Sequence, residues 1–196
     1  MDSLLLITSS IHGANGHSTR LAGQLAQRLA SEHSLTVCTR NLTKDNLPHL
    51  SEEEVQAWQI PKLKRSSKQD RLARLSDQLI DELQSAREVV VAMPMYNFGV
   101  PSTFKSWIDR VSRAGVTFKY SNEGPTGLLD NKPVHVVCTR GGFYEGGQDD
   151  FQTPYLQKVF AFLGLEDLRF IYAEGLNTEN KVNCLNKAQL AISQFG

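Results

Sequence analysis

Residues 89–111 read VVVAMPMYNFGVPSTFKSWIDRV, and this one stretch carries a strand, a loop and a helix in succession. Val89-Val90-Val91-Ala92-Met93 is an unbroken apolar run of the kind a strand shows when both its faces are covered. Pro94 stops it, since proline has no N–H for a sheet ladder. Met95 to Val100 is the loop, and Pro101 suits the first turn of a helix. Phe104, Trp107, Ile108 and Val111 then recur at helical spacing and give that helix a buried face. A strand covered on both sides needs helices above and below it, which is the α/β pattern.

The same rhythm extends in both directions. Toward the N-terminus, Leu4 to Ile7 is a short apolar strand, Thr8 to His17 a polar loop with glycines, and Leu21, Leu25 and Leu29 the stripe of a helix. Leu35 to Cys38 reads as a second strand. Residues 41–68 break the pattern with Pro48, Pro61, an acidic cluster and a basic one, and a short helix is expected near Ser51 to Trp58. A loop this long is more often functional than neutral, as a subunit contact or a pocket wall. Leu72, Leu75, Leu79, Ile80 and Leu83 mark the helix before Val89. Toward the C-terminus, 116–120 and the turn at 122–125 form a hairpin-like excursion. Val134 to Cys138 and Leu168 to Tyr172 are the fourth and fifth core strands. Between them Thr153-Pro154 opens a helix as N-cap and first-turn proline. The last helix runs from about Glu179 to Ser193. Five strands alternating with helices predict a doubly wound parallel sheet with helices on both faces.

The chain has 196 residues and fits one domain over 1–196. Lys plus Arg and Asp plus Glu are 21 each, so the formal charge is zero. That balance argues against a nucleic-acid binder and against an acidic electron carrier that docks by charge. No apolar run approaches the roughly 18 residues of a membrane span. The N-terminus runs into a strand without a basic leader. Cys38, Cys138 and Cys184 are odd in number and lack a CxxC, which suggests reduced thiols in a cytoplasmic setting. The five histidines show no metal-ligand spacing. His135 lies within a strand pattern and reads as structural, and His33 and His49 as surface positions.

Ligands of an open α/β sheet bind beyond the carboxyl ends of its strands. Three loops there have unusual composition. Ser9 to Thr19 joins a strand to a helix N-terminus, whose free N–H groups hold phosphate. Ser18 or Thr19 is alternatively a plain N-cap. The loop is neither GxGxxG nor GK[ST], so it is no dinucleotide fingerprint and no nucleotide P-loop. Met93 to Pro101 offers apolar and aromatic side chains to a flat ring. Thr139 to Tyr144 holds paired glycines that let a backbone approach a ligand closely.

SS with HSTR, PMYNFGVPSTFKSWIDR, RAGVTFKY, TRGG, QTPYLQKVFAFLGL and YAEGL together resemble the FMN-dependent NAD(P)H azoreductases, within the flavodoxin-like quinone reductases. The resemblance implies a flavodoxin-like fold of five parallel strands in the order 2-1-3-4-5. It implies bound FMN, a homodimer, and NADH or NADPH as donor. Ping-pong reduction of quinones to hydroquinones and reductive cleavage of azo compounds would follow. The phosphate site it implies is Ser10, Gly16, His17 and Ser18. The ring contacts are Met95, Tyr96, Asn97 and Phe98, and the pyrimidine end is met by Thr139, Arg140, Gly141 and Gly142. Tyr120 and Phe162 correspond to aromatic residues that wall the acceptor pocket, from this or the partner subunit. Gly16 stands where relatives often have serine, which removes one side-chain donor to the phosphate. The flavin carries the chemistry, so no catalytic triad is expected. The competing readings are a flavodoxin-like electron carrier without its own substrate and a nucleotide-hydrolysing or NAD-binding domain.

Overall fold

The computed structural model describes residues 2–45 and 47–195. Its central sheet has five parallel strands: β1 (Ser3–Thr8), β2 (Thr36–Asn41), β3 (Ala86–Pro94), β6 (Val134–Thr139) and β7 (Leu168–Ala173). Their spatial order is β2-β1-β3-β6-β7, the doubly wound order expected for the five core strands. Two short strands, β4 (Phe118–Ser121) and β5 (Gly124–Gly127), form a separate hairpin where the sequence predicted a strand at 116–120 and a turn at 122–125.

The period-two alternation of strands divides the core into two layers. Leu5, Ile7, Val89, Val91, Met93, Val136 and Cys138 point to one face. There they meet α3 (Ser67–Ser85), α4 (Ser102–Val111) and α5 (Gln152–Leu163) through Leu79, Leu83, Phe104, Trp107 and Phe160. Leu4, Leu6, Val90, Ala92 and Val137 point the other way. They pack on α1 (His17–His33) and α6 (Lys181–Gln194), chiefly through Leu21, Leu25, Leu29 and Ile192. Strand β2, at the sheet edge, is the least covered, which is why its run is less apolar than that of β3.

The 41–68 excursion is pinned from beneath. Helix α2 (Glu52–Trp58) starts with a capping box in which Ser51 and Glu54 bond each other's backbone N–H. The fully buried Arg110 guanidinium donates to Glu54 at 2.9 Å and to the Pro48 carbonyl at 2.7 Å. Arg113 lies over the Trp58 ring at 5.4 Å. The excursion walls a hollow of about 380 Å³ against α3.

Three boundaries differ from the sequence expectation. Pro94 ends β3 as expected but is itself the strand's last residue, in register with Thr139, rather than the first residue of the loop. Pro101 is the N-cap residue of α4 rather than a first-turn residue. Thr153 is not the N-cap of α5: Phe151 holds that position, and Asp150 Oδ1 accepts the Thr153 N–H at 3.0 Å. His135 is buried, with Nε2 3.2 Å from Glu88, as a structural histidine should be. His33 and His49 are exposed, and His33 Nδ1 also reaches Glu88.

Candidate cofactor and acceptor site

The loops after β1, β3 and β6 converge at the carboxyl edge of the sheet. Two bonds hold them in register. The Ser9 hydroxyl donates to the Ala92 carbonyl at 2.9 Å, and the Ile11 N–H donates to the Tyr96 hydroxyl at 3.1 Å. Between the loops lies a hollow of about 260 Å³ lined by Ser10, His17, Ser18, Thr139 and Gly141, among others. Met95 and Tyr96 line it too, and they also line a larger hollow of about 1070 Å³. Phe98, Val100, Phe151 and Tyr155 make the larger one mostly apolar, with Lys105 at its border.

The small hollow has the properties of an anion site. Gly16 occupies the N-cap position of α1, where it supplies no side-chain acceptor for the free N–H groups of the first turn. The Ser18 side chain is buried, yet its Oγ has no partner among the described residues. A buried hydroxyl left unpaired costs free energy unless a ligand engages it. His17 is held below its ordinary pKa, first by burial and then by the positive charges of Lys181 and Arg20, with His12 adding a smaller push. Of these causes, the positive charges of Lys181 and Arg20 are the ones that favour a phosphate. These features fit the phosphate end of FMN.

Gly16 also has a local explanation. A Cβ there would lie 2.2 Å from Ser10 Oγ and 2.7 Å from Ser10 Cβ, so Ser10 fills the space a serine at 16 would use. Ser10 Oγ in turn accepts the His12 N–H at 3.2 Å.

The ring side is built on a strained turn. Tyr96 and Gly99 exchange backbone bonds of 3.1 and 3.0 Å, and Asn97 and Phe98 between them have φ of 49° and 64°. Two positive φ values in sequence are those of a type I′ turn. Asparagine tolerates this region, but phenylalanine rarely does, and such residues cost about 1–3 kcal/mol each. The turn leaves the Asn97 and Phe98 N–H groups without acceptors among the described residues. Gln152, fully buried, braces it by donating to the Pro94 carbonyl at 3.1 Å and the Gly99 carbonyl at 3.0 Å. Phe98 meets Tyr144 edge-on at 5.7 Å.

The Thr139–Gly142 segment is fixed against the loop after β7. Leu176 N–H donates to the Arg140 carbonyl, Asn177 N–H to Gly141 and Gly175 N–H to Gly142, all at 2.9–3.1 Å. A Cβ on Gly141 would sit 2.5 Å from the Asn177 amide, and one on Gly142 would sit 2.9 Å from the Tyr144 hydroxyl. Gly141 lines the small hollow, whereas Gly142 lines neither.

Arg140 lines the small hollow, and its side chain is anchored within the protein. Its guanidinium is fully buried and donates to Asp150 at 3.0 and 3.1 Å, to Glu174 at 3.1 Å and to the Thr153 hydroxyl at 2.8 Å. It also lies 4.9 Å over the Tyr172 ring. The two terminal nitrogens therefore tie the loops together through carboxylates and a hydroxyl, while Nε has no partner among the described residues. Burial alone would raise the Asp150 carboxyl, but the Thr153 backbone N–H and the Arg140 guanidinium outweigh it and hold it below the usual range. Burial pushes the neighbouring Cys138 thiol up to about 12, so it stays neutral.

Of the sequence-derived residues, Ser10, Gly16, His17, Ser18, Met95, Tyr96, Thr139, Arg140 and Gly141 line the small hollow; Met95, Tyr96, Asn97 and Phe98 line the large one. Tyr120 and Phe162 line neither. They flank Phe118, at 5.5 and 4.2 Å, and Tyr120 is 73% exposed. Asn177, Gln152 and Tyr144 were missed, although each sits in or beside a stretch of the resemblance (YAEGL, QTPY, TRGG).

A flavodoxin-like fold family matches residues 2–195. An FMN-dependent NADH:quinone oxidoreductase of Alteromonas mediterranea is 44% identical over 90% of this chain and 88% of its own. One of Cellvibrio japonicus is 43% identical over 99% of this chain and 98% of its own. Among solved structures, an azoreductase from Bacillus anthracis superposes with a TM-score of 0.87 at 22% identity, covering 99% of this chain and 98% of the other.

Proposed function

Because this chain belongs to the flavodoxin-like family of FMN-dependent NADH:quinone oxidoreductases, we propose a residue-level account of how it holds its cofactor and meets its substrates. The enzyme uses FMN and NADH to reduce quinones. FMN, when bound, accepts hydride from the nicotinamide and passes two electrons to the acceptor. The observation that carries the residue assignment is the uncapped start of α1 beside the unpartnered, buried Ser18 hydroxyl.

Ser10, Ser18 and the first-turn N–H groups of His17 and Ser18 bind the phosphate. Gly16 gives room for Ser10 in that cradle. The unpaired Asn97 and Phe98 N–H groups would bond the ring heteroatoms of bound FMN, and Met95, Tyr96 and Phe98 would supply its apolar bed. Gly141 lets the backbone approach the pyrimidine edge, and Gly142 and Thr139 hold that approach in place. Arg140 is a positioning residue that fixes this segment from beneath. Donors fixed before the substrate arrives need no reorganisation when charge develops, which is the usual electrostatic route to catalysis.

The large, mostly apolar hollow suits flat aromatic acceptors. Aromatic azo compounds share that shape and accept electrons in pairs, so they are substrates of the same hollow. The chain acts as a single domain over residues 1–196 and as a homodimer in which the partner's copies of Tyr120 and Phe162 complete the acceptor wall. Its three cysteines, all free, suit a reducing, cytoplasmic setting. No helix among the described residues is long and apolar enough to cross a membrane.

Steady-state rates with NADH varied at several fixed benzoquinone concentrations test the exchange. Parallel double-reciprocal lines are expected, because donor and acceptor use one hollow in turn. Intersecting lines would mean both bind together and would refute the shared hollow.

A further inference from the structure

Between Phe143 and α6 lies a hollow of about 530 Å³ that shares no lining residue with the two hollows at the carboxyl edge of the sheet. It is lined by Phe143, Asn180, Asn183, Cys184, Asn186 and Lys187. We propose that it binds the adenosine half of the nicotinamide donor. The proposal rests on the reading of this chain as an NADH-dependent enzyme.

Three observations carry it. Phe143 is 65% exposed, an unusual position for a large apolar ring. It rests on the backbone of Gly175, where a Cβ would meet its Cζ at 2.5 Å and where φ is +69°. The ring is thus seated with its surface available for stacking on a base. Second, Asn180, Asn183 and Asn186 recur every three residues and fall on one side of α6. Asparagine is a poor helix former, so this spacing weakens the helix. Asn180 holds the N-cap position without making a capping bond. All three are exposed, so their side-chain amides are open to a ligand from solvent. An amide offers a donor and an acceptor side by side, the pattern that reads the adenine edge. Lys187 adds one cation, suited to a pyrophosphate.

Third, the hollow adjoins the site. Gly141 and Asn177 line the small hollow, and the backbone ladder that joins Gly141 to Asn177 continues from Gly142 to Gly175, directly beneath Phe143. Tyr144, next in the chain, touches Phe98 of the acceptor hollow. A dinucleotide with its nicotinamide beside Phe98 has an aromatic step, from Tyr144 to Phe143, leading to the asparagine face.

The test compares NADH with reduced nicotinamide mononucleotide, which lacks the adenosine. Bleaching of the flavin in the FMN-loaded enzyme is followed in single turnover, and binding of 5′-AMP is measured by ligand-observed NMR. The variants are Asn183→Ala with Asn186→Ala, which favours helix and so keeps the fold, and Phe143→Ala with Phe143→Tyr as the stacking-competent control. The wild type is expected to prefer NADH about tenfold or more, the factor two ordinary hydrogen bonds supply together. The asparagine and Phe143→Ala variants lose most of that preference and bind AMP about tenfold more weakly, Phe143→Tyr retains both, and the mononucleotide rate stays as it was. Equal use of both donors by the wild type, a preference that survives the variants, or a parallel loss with both donors would overturn the proposal. Absence of bleaching by either donor in the wild type would instead overturn the NADH reading on which it rests.

Discussion

Replacing Ser18 by alanine should move two quantities in opposite directions. The hydroxyl is buried and unpartnered in the chain alone, at the second position of α1. Removing it from the apoprotein relieves an unpaired polar group, and alanine is the better helix former by about 0.5 kcal/mol. The apoprotein is therefore expected to keep or gain about 0.5–1.5 kcal/mol of stability. In the complex the same hydroxyl donates to a phosphate, and a hydrogen bond to a charged group contributes about 1.5–3 kcal/mol. FMN affinity should fall about 10- to 150-fold. Riboflavin, which lacks the phosphate, should bind both proteins alike. Urea denaturation of the apoprotein and fluorescence titration with each flavin measure all three quantities. An unchanged FMN affinity, or an equal loss with riboflavin, would show that Ser18 does not meet the phosphate. A destabilised apoprotein would show that the hydroxyl has an internal partner.

Arg140→Met leaves Asp150 and Glu174 facing each other without their cation, and a loss of about 3–5 kcal/mol is expected in urea denaturation; a loss under 1 kcal/mol would mean the cluster carries no weight. Gly16→Ala forces its Cβ against Ser10 and should cost the apoprotein about 1–3 kcal/mol, recovered in part when Ser10→Gly is made in the same chain; additive losses would refute the clash. Burial lowers the pKa of His135 against the opposing pull of Glu88, so the unfolded chain binds a proton first as pH falls below about 6.5. Stability is full above that value and declines as pH drops through it, and His135→Gln should flatten this slope between pH 7 and 5.5 only in part, because His17 is lowered too. An unchanged slope in that variant would remove His135 from the explanation.

What the sequence made legible follows from local physics. Apolar runs such as Val89 to Met93 have only one way to be buried on both faces, so the strands and their layers can be read directly. The loop positions followed from the strand ends. Charged and polar residues in those loops were harder, because their partners lie far along the chain. Arg140 sits in a motif that suggests a ligand contact, yet its carboxylates come from ten and thirty-four residues away. Gln152 braces carbonyls more than fifty residues earlier, and nothing in its neighbourhood signals that reach. Thr153 looked like a cap because it precedes a proline, but Asp150 supplies the capping oxygen and frees the threonine hydroxyl to meet Arg140.

The central claim is that bound FMN takes electrons from NADH and gives them to a quinone. Anaerobic stopped-flow of the FMN-loaded protein at the flavin band tests it most directly. NADH is mixed first and should bleach the flavin rapidly, and benzoquinone, mixed second, should restore the absorbance just as rapidly. Flavin that stays oxidised in excess NADH, or that is bleached but not reoxidised by the quinone, would contradict the account.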